Sequence, residues 1–209
     1  MSEMTDKLGQ LKLIPVVVIE DAASAAPLGQ ALLDGGLPCA EVTFRTAAAP
    51  DAITALSKLD GLLLGAGTVL TVDQAKQAVD CGAKFIVTPG FNPKVVGYCV
   101  ENDIPITPGV CTPTQIEAAL DFGLNVVKFF PAEAFGGLKT LKAISGPYPM
   151  MKFIPTGGIS AANIGSYLAF EKVLACGGSW IVKKDLIAAG NFTEITNLTQ
   201  QALSVIAEV

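Results

Sequence analysis

The sequence contains no histidine and only one arginine, Arg45, among its 209 residues. Without histidine, the usual Ser-His and Cys-His nucleophile pairs are excluded, and a catalytic zinc site lacks its commonest ligand. Proton transfer must then depend on carboxylates, lysine, tyrosine or water. The acidic residues and cysteines show no ligand spacing either, so we expect no metal.

Charged side chains are scarce, at 16% of the residues, against a usual value of ~25%. The net charge is −5, and the only adjacent basic pair is Lys183-Lys184. This pattern excludes the basic patch expected of a protein that binds nucleic acid or an anionic membrane surface. The low charge favours a surface that is partly buried against other subunits.

Long apolar runs are also missing. The longest lies near Leu13 to Ile19, is about seven residues long and contains Pro15, whereas a membrane span needs ~20 residues. Residues 1–6 do not have the basic and then apolar order of a signal peptide. We therefore expect a soluble, cytoplasmic protein. Its cysteines are odd in number and lack a C-x-x-C pair, which predicts free thiols at Cys39, Cys81, Cys99, Cys111 and Cys176.

Short apolar runs recur along the chain at a nearly constant spacing. Amphipathic, alanine-rich stretches separate them, for example residues 21–34, 72–79, 114–121 and 161–168. This alternation predicts a (β/α)8 TIM barrel, an α/β fold in a single domain over residues 1–209. Residues 1–10 are predicted to form a helix across the barrel bottom. A doubly wound open sheet is the alternative, but its G-x-G-x-x-G fingerprint is absent. The predicted strands begin near Ile14, Ala40, Leu62, Lys84, Ile106, Val126, Lys152 and Val173.

Glycine follows five of these runs, in "GAG" (65–67), "TPG" (88–90), "TPG" (107–109), "TGG" (156–158) and "CGG" (176–178). These segments could simply be tight turns, but together they favour a ligand-lined face at one edge of the barrel. The last two follow the seventh and eighth strands, where barrels often bind phosphate through backbone N–H groups. The predicted phosphate site comprises Gly157, Gly158, Gly178 and Ser179.

The run "EVTFRT" (41–46) alternates polar and apolar side chains. Strand alternation places Glu41, Thr43 and Arg45 on one face, while Val42 and Phe44 lie on the other. The large apolar residues pack outward against helices, so the polar set is predicted to point into the barrel. Arg45 would lie nearest the open top.

The run "NVVKFF" (125–130) places a lysine, Lys128, in a short apolar strand. Its register puts Lys128 and Phe130 inside the barrel, where Glu41 and Arg45 also point. In general, burial lowers the basicity of an amine, and a neutral amine adds to carbonyl carbon. Together with a carboxylate that moves protons and an arginine that binds a substrate carboxylate, this set predicts retro-aldol cleavage of an α-keto acid.

Three alternatives stay open. Glu41 and Lys128 could form a purely structural ion pair, although buried pairs give little net stability. The same barrel could be a phosphate-sugar isomerase or epimerase in which Glu41 is the base and no covalent adduct forms. It could also be a non-catalytic binding barrel, which has no need of a buried lysine.

The motifs "EVTFRT", "GAGTVL", "TPG", "KFFPAE", "PTGGIS" and "GGSW" occur in this order between about Ile14 and Leu186. In this the sequence resembles the 2-keto-3-deoxy-6-phosphogluconate aldolases, also called 4-hydroxy-2-oxoglutarate aldolases. The related 6-phosphogalactonate aldolases tend to lack the Arg-Thr ending of the first motif and the Ala-Glu ending of "KFFPAE". This sequence keeps both. It departs mildly at Phe44, where leucine is common, and at Cys111, where serine is common.

The resemblance implies a class I aldolase, without metal or cofactor, that is a homotrimer. The expected reaction gives pyruvate and glyceraldehyde 3-phosphate from the phosphorylated keto acid, with 4-hydroxy-2-oxoglutarate as a second substrate. Lys128 would form the Schiff base, and Glu41 would be the general acid/base. The remaining roles would be carboxylate binding by Arg45 and Thr68, pocket shape from Pro89 and Phe130, and phosphate binding by Gly157, Gly158, Gly178 and Ser179.

Overall fold

Parallel strands form the centre of the fold. The computed structural model describes residues 3–209; Met1 and Ser2, which begin the predicted N-terminal helix, lie outside this range. Each strand starts close to a predicted apolar run, and several of them, such as β1 and β7, are rich in β-branched residues. The strands are β1 (Leu13–Val17), β2 (Cys39–Thr43), β3 (Leu63–Gly67), β4 (Phe85–Val87), β5 (Ile106–Thr107), β6 (Gly109–Val110), β7 (Val126–Phe129), β8 (Lys152–Pro155) and β9 (Cys176–Gly178).

Helices connect these strands, and the predicted helical stretches are all found. The helix predicted over residues 161–168 begins only at Ile164. Short 3-10 helices lie at Ala22–Ser24 and Glu133–Phe135. The α-helices are α1 (Glu3–Leu11), α2 (Ala25–Asp34), α3 (Ala49–Leu56), α4 (Val72–Asp80), α5 (Pro93–Glu101), α6 (Pro113–Asp121), α7 (Gly137–Ser145), α8 (Ile164–Leu168), α9 (Lys184–Ala188) and α10 (Phe192–Ala207).

The strands pair in two groups, and every pairing is parallel. One sheet has the order β5-β4-β3-β2-β1-β9, and the other has the order β6-β7-β8. Isolated bridges at Phe153–Val173 and Thr156–Gly177 connect the two groups. The order of β1 to β5 lacks the reversal of a doubly wound sheet. The fold is therefore an α/β fold with a curled parallel sheet.

The pairing differs from the prediction of eight strands in one closed sheet. The fifth predicted strand is divided into β5 and β6 by Pro108, which has no N–H group to donate to a ladder. The eighth was expected near Val173, but only an isolated bridge occurs there, and β9 begins at Cys176. The two hydrogen-bonded groups follow from these interruptions.

The N-terminal ends of the strands close on an apolar cluster. Ile14, Phe85, Val126 and Ile154 pack there with Leu8 of α1, and each is at most 3% exposed. The predicted N-terminal helix is therefore present from Glu3 onward and packs against this end of the sheet. A larger apolar layer lies between the strands and the surrounding helices. These contacts leave the opposite ends of the strands open.

All five cysteines are free thiols, as predicted. Within residues 3–209, no helix combines the length and apolar character needed to cross a membrane.

Candidate active site

Lys128 lies in the middle of the apolar strand β7. Its neighbours across the sheet are Gly109 and Ile154, and the residue is only 5% exposed. The Nζ atom lies 3.5 Å from Oε1 of Glu41 and 5.1 Å from the ring centroid of Phe130. The structure thus brings together the lysine, the carboxylate and the aromatic ring that the strand registers pointed to.

Glu41 lies in β2 and is 2% exposed. A Cβ atom at Gly67 would overlap its carboxylate, so the absence of a side chain in β3 provides the space for Glu41. Among residues 3–209, no group donates a hydrogen bond to Oε1 of Glu41. A buried oxygen without a donor is costly, and Lys128 is its nearest compensating charge. The carboxylate therefore has free capacity to accept a hydrogen bond from a bound molecule.

Arg45 does not continue β2 as the alternation predicted. The strand ends at Thr43, whose hydroxyl donates to the Val17 carbonyl over 2.8 Å. The chain then turns, and the Arg45 amide donates to the Thr43 carbonyl over 2.8 Å. Alternation holds only within a strand, so it could not place this side chain. Arg45 is exposed, yet it lines the cavity described next.

A cavity of about 490 Å³ opens at the C-terminal ends of the strands. Its lining has no aspartate or glutamate within the described part of the chain, and its three cationic side chains favour an anionic ligand. Other walls come from Val16, Val18, Thr156, Trp180 and Val182. The predicted site residues that line it are Arg45, Phe130, Gly157, Gly158, Gly178 and Ser179.

Glu41 and Lys128 do not line this cavity themselves, and neither do Thr68 and Pro89. Thr68 and Pro89 follow β3 and β4. The Pro89 carbonyl packs so closely on Gly109, the neighbour of Lys128, that a Cβ atom there would overlap it. Thr68 has a φ of 55°, which is unusual for a β-branched residue and costs about 1–3 kcal/mol. Thr68 thus follows the strand next to Glu41, and Pro89 packs on the residue next to Lys128.

Gly157 and Gly158 form the loop that follows β8. Their φ angles are 98° and 82°, a left-handed conformation that favours glycine. The loop is held from the β7 side, because the amides of Ala132 and Glu133 donate to the carbonyls of Thr156 and Gly157 over 2.8 and 3.0 Å. This backbone is therefore fixed against its neighbour at the rim of the cavity.

Sequence reasoning missed two cationic residues of the cavity, Lys183 and Lys184. They were noted only as the single adjacent basic pair. Both line the cavity, and Nζ of Lys184 lies 3.2 Å from Oε1 of Glu20. The available signal was their position just after "GGSW", which already belonged to the predicted phosphate site.

Residues 3–209 contain no group of three or more His, Cys, Asp or Glu side chains placed to hold a metal ion. The chemistry open to the described site is thus that of an amine, a carboxylate and several anion-binding groups.

Comparison with known proteins assigns the family. The sequence profile described as "Aldolase: KDPG and KHG aldolase" matches residues 4–198. The 2-dehydro-3-deoxy-phosphogluconate aldolase of Treponema pallidum is 50% identical over 207 residues, which cover 99% of each chain. This chain belongs to the KDPG and KHG aldolase family. It is therefore a carbon–carbon lyase.

Solved aldolase structures share the fold. The KDPG aldolase of Legionella pneumophila, crystallised with pyruvate captured at low pH as a covalent carbinolamine intermediate, is 40% identical. It covers 95% of this chain and 97% of its own, with a TM-score of 0.91. The 2-keto-3-deoxy-6-phosphogluconate aldolase of Zymomonas mobilis, crystallised with 3-phosphoglycerate, is 38% identical. It covers 95% of this chain and 94% of its own, with a TM-score of 0.89. The resemblance inferred from the motifs is confirmed.

Proposed function

We propose that this chain is a class I aldolase that cleaves 2-dehydro-3-deoxy-6-phosphogluconate to pyruvate and glyceraldehyde 3-phosphate. The observation that carries the proposal is the buried Lys128 amine, 3.5 Å from a Glu41 oxygen that receives no hydrogen bond from the described residues. An amine in an apolar strand, beside a carboxylate with free capacity, suits covalent catalysis with proton transfer. The carbinolamine trapped in the Legionella relative supports the same chemistry.

The proposed reaction begins when the Lys128 amine adds to the C2 carbonyl and forms a carbinolamine. Loss of water gives a protonated imine. Glu41 then takes the proton of the C4 hydroxyl, the C3–C4 bond breaks, and its electron pair moves into the enamine. Glyceraldehyde 3-phosphate leaves, Glu41 returns a proton to C3, and water releases pyruvate and the free amine. Each proton removed is returned, so the carboxylate is regenerated in every cycle.

Substrate binding in this proposal uses both anionic ends of the keto acid. Arg45 and Thr68 bind the carboxylate beside the reacting carbons, and Pro89 and Phe130 shape the pocket. The phosphate lies against Gly157, Gly158, Gly178 and Ser179. The cationic lining of the 490 Å³ cavity and the 3-phosphoglycerate bound in the Zymomonas relative support a phosphate at this end.

A second reaction is part of the proposal: cleavage of 4-hydroxy-2-oxoglutarate to pyruvate and glyoxylate. It needs the same lysine and carboxylate but not the phosphate loop. The family description, which names KHG beside KDPG, supports it.

The proposal also includes one closed (β/α)8 barrel domain that assembles as a cytoplasmic homotrimer, without nucleic acid or membrane partners. Bridges between the two strand groups support closure. Free cysteines suit a reducing compartment. Exposed apolar side chains, such as Leu70, Phe135 and Met150, support burial between subunits, while the number three rests on the family resemblance.

Reductive trapping tests the covalent step. Pyruvate followed by borohydride should add mass irreversibly, and peptide mapping should place the adduct on Lys128. Lys152→Met is the matched control, because Lys152 is also a strand lysine but bonds the Glu171 carbonyl at the other end of the sheet; it should still form the adduct. Full release of pyruvate without any trapped adduct would overturn the Schiff-base route, and the absence of both adduct and pyruvate release would favour a non-covalent isomerase or epimerase.

A further inference from the structure

Glu133 contacts the Gly157–Gly158 loop from the β7 side, while the Ala132 amide and the Asn163 side chain donate to the carbonyls of Thr156 and Gly158. Glu133 belongs to the Ala-Glu ending of "KFFPAE", to which the proposed reaction gives no role. The Glu133 amide donates to the Gly157 carbonyl over 3.0 Å, so it extends the pairing of β7 and β8 beyond the ends of both strands. Glu133 is therefore one of the groups that fix the position of the loop, and the one that bonds the Gly157 carbonyl.

The side chain of Glu133 also contacts the loop. A Cβ atom at Gly158 would lie 2.6 Å from both Cβ and Cγ of Glu133. Real Cβ atoms do not approach so closely, so the stem of Glu133 packs directly on the Gly158 backbone. A shift of this stem would move or release the rim of the cavity.

The carboxylate end of Glu133 is held by Tyr167 of α8. The Tyr167 phenol donates a hydrogen bond to Oε1 of Glu133, and the ring is only 2% exposed. Burial, together with this hydrogen bond, raises the pKa of Tyr167, so the phenol stays protonated and remains a donor. A Cβ atom at Gly137, the first residue of α7, would lie 2.9 Å from the same carboxylate oxygen. Although Glu133 is an exposed residue, this oxygen thus lies between the start of α7 and the phenol of α8.

We propose that Glu133, held by Tyr167, is a positioning residue that sets the Gly157–Gly158 loop for a phosphate group and determines the preference for phosphorylated over unphosphorylated keto acids. This inference rests on the proposed function. Neither Glu133 nor Tyr167 lines the cavity. They act only through the loop, and their loss should affect the phosphate end of a substrate while sparing the carbonyl end.

The test compares Tyr167→Phe with Tyr148→Phe. Tyr148 is an equally suitable phenol, because it is 8% exposed and donates to Oε1 of Glu117 over 2.9 Å, but it precedes β8 at the opposite end of the sheet. Tyr167→Phe should raise KM for the phosphorylated keto acid about tenfold, the effect of one lost hydrogen bond to a charged acceptor. KM for the same acid without its phosphate should change by less than about twofold. Inhibition by inorganic phosphate should weaken in parallel, whereas Tyr148→Phe should leave the ratio of the two KM values at its wild-type level.

Variants of Glu133 complete the test. Glu133→Gln keeps both the stem and an acceptor for Tyr167, so the ratio of its two KM values should stay within about threefold of the wild-type ratio. Glu133→Ala removes both, and its preference for the phosphorylated substrate should fall at least as far as that of Tyr167→Phe. If Tyr167→Phe does not fold, the two Glu133 variants alone decide whether the positioning role is correct. Equal losses on both substrates, or an unchanged ratio in Glu133→Ala, would overturn the positioning role.

Borohydride trapping of pyruvate separates this inference from the proposed function. Trapping in the wild type and in all four variants, together with an unchanged substrate ratio, would overturn only the role of Glu133. Absence of trapping in the wild type would overturn the Schiff-base reaction, whatever the substrate ratio shows.

Discussion

The two ends of the sheet contain cavities of similar size but opposite character. At the N-terminal ends of the strands, a cavity of about 400 Å³ is lined largely by apolar residues such as Leu8, Phe85 and Val126. At the C-terminal ends, the cavity of about 490 Å³ is lined by Arg45 and two lysines. Cavity volume therefore does not distinguish the candidate active site from the other end. The candidate active site is distinguished by the cationic side chains of the cavity and by the buried Glu41–Lys128 pair.

The same strands produce both ends. Cys39 and Val126 belong to the apolar cluster, while Glu41 and Lys128 lie two residues further along β2 and β7. Residues two apart in a strand share a face, and each step of two advances about 7 Å. Along β2 and β7, the interior thus changes from apolar to ionic within two residues. We expect the N-terminal end to contribute stability and the C-terminal end to contribute chemistry.

The largest expected effect is that of Lys128→Met. The variant should fold, because methionine suits an apolar strand, and should lose lyase activity by several orders of magnitude, since the covalent route disappears. Lys128→Arg should fail equally, because guanidinium stays protonated. Activity is measured as pyruvate release, with Lys152→Met as the control. Retention of even a tenth of wild-type turnover would contradict the Schiff-base role.

Glu41→Gln should have the next largest effect. It keeps the shape of the side chain and removes the titrating proton. Exchange of the pyruvate methyl protons with deuterated water, followed by NMR, should slow by about 10² to 10⁴. A borohydride-trappable adduct should still form, because Lys128 remains. Near-normal exchange would show that a group other than Glu41 moves the proton.

Leu8→Ala tests the other end of the molecule. Leu8 is 1% exposed in the apolar cluster, so its truncation should lower the free energy of unfolding by about 2–5 kcal/mol. Denaturant unfolding measures this loss. Below the unfolding transition, kcat/KM should stay within about twofold of the wild type. A selective fall in kcat/KM of the folded variant would show that the two ends are not independent.

The smallest expected effect is that of Ser179→Asp. The added negative charge should repel the substrate phosphate and raise KM for a phosphorylated keto acid by about tenfold or more, with far less effect on an unphosphorylated one. Ser204→Asp on the exposed side of α10 is the control for added charge and should leave both KM values unchanged. If Ser179→Asp weakened both substrates equally, the phosphate would have to bind elsewhere.

Regular strands made the centre of the site predictable. β2 and β7 keep their alternation through Glu41 and Lys128, so the sequence alone brought the two residues together. Alternation ceases to apply where a strand ends, and β2 ends at Thr43. The position of Arg45 therefore depends on a turn and could not be derived. The division of the fifth strand has a visible cause in Pro108, although its consequence for pairing was not foreseen.

Contacts between distant segments were beyond prediction from the sequence. The hydrogen bond from Tyr167 to Glu133 joins residues far apart in the chain, and no local pattern indicates it. Lys183 and Lys184 were visible as a basic pair, but the turn after β9 decides that they line the cavity. Thr68 and Pro89 came from the family resemblance rather than from the residues themselves. Family motifs thus supplied what strand periodicity could not.

Gly67 shows how a residue without a side chain can limit the evolution of a site. The Glu41 carboxylate occupies the space where a methyl group at this position would lie. Alanine at this position would add no charge and remove no polar atom, yet it would displace the proposed acid/base. In a map of tolerated substitutions, Gly67 should therefore be as intolerant as Glu41 itself. A larger residue at position 67 would therefore require a smaller one at position 41.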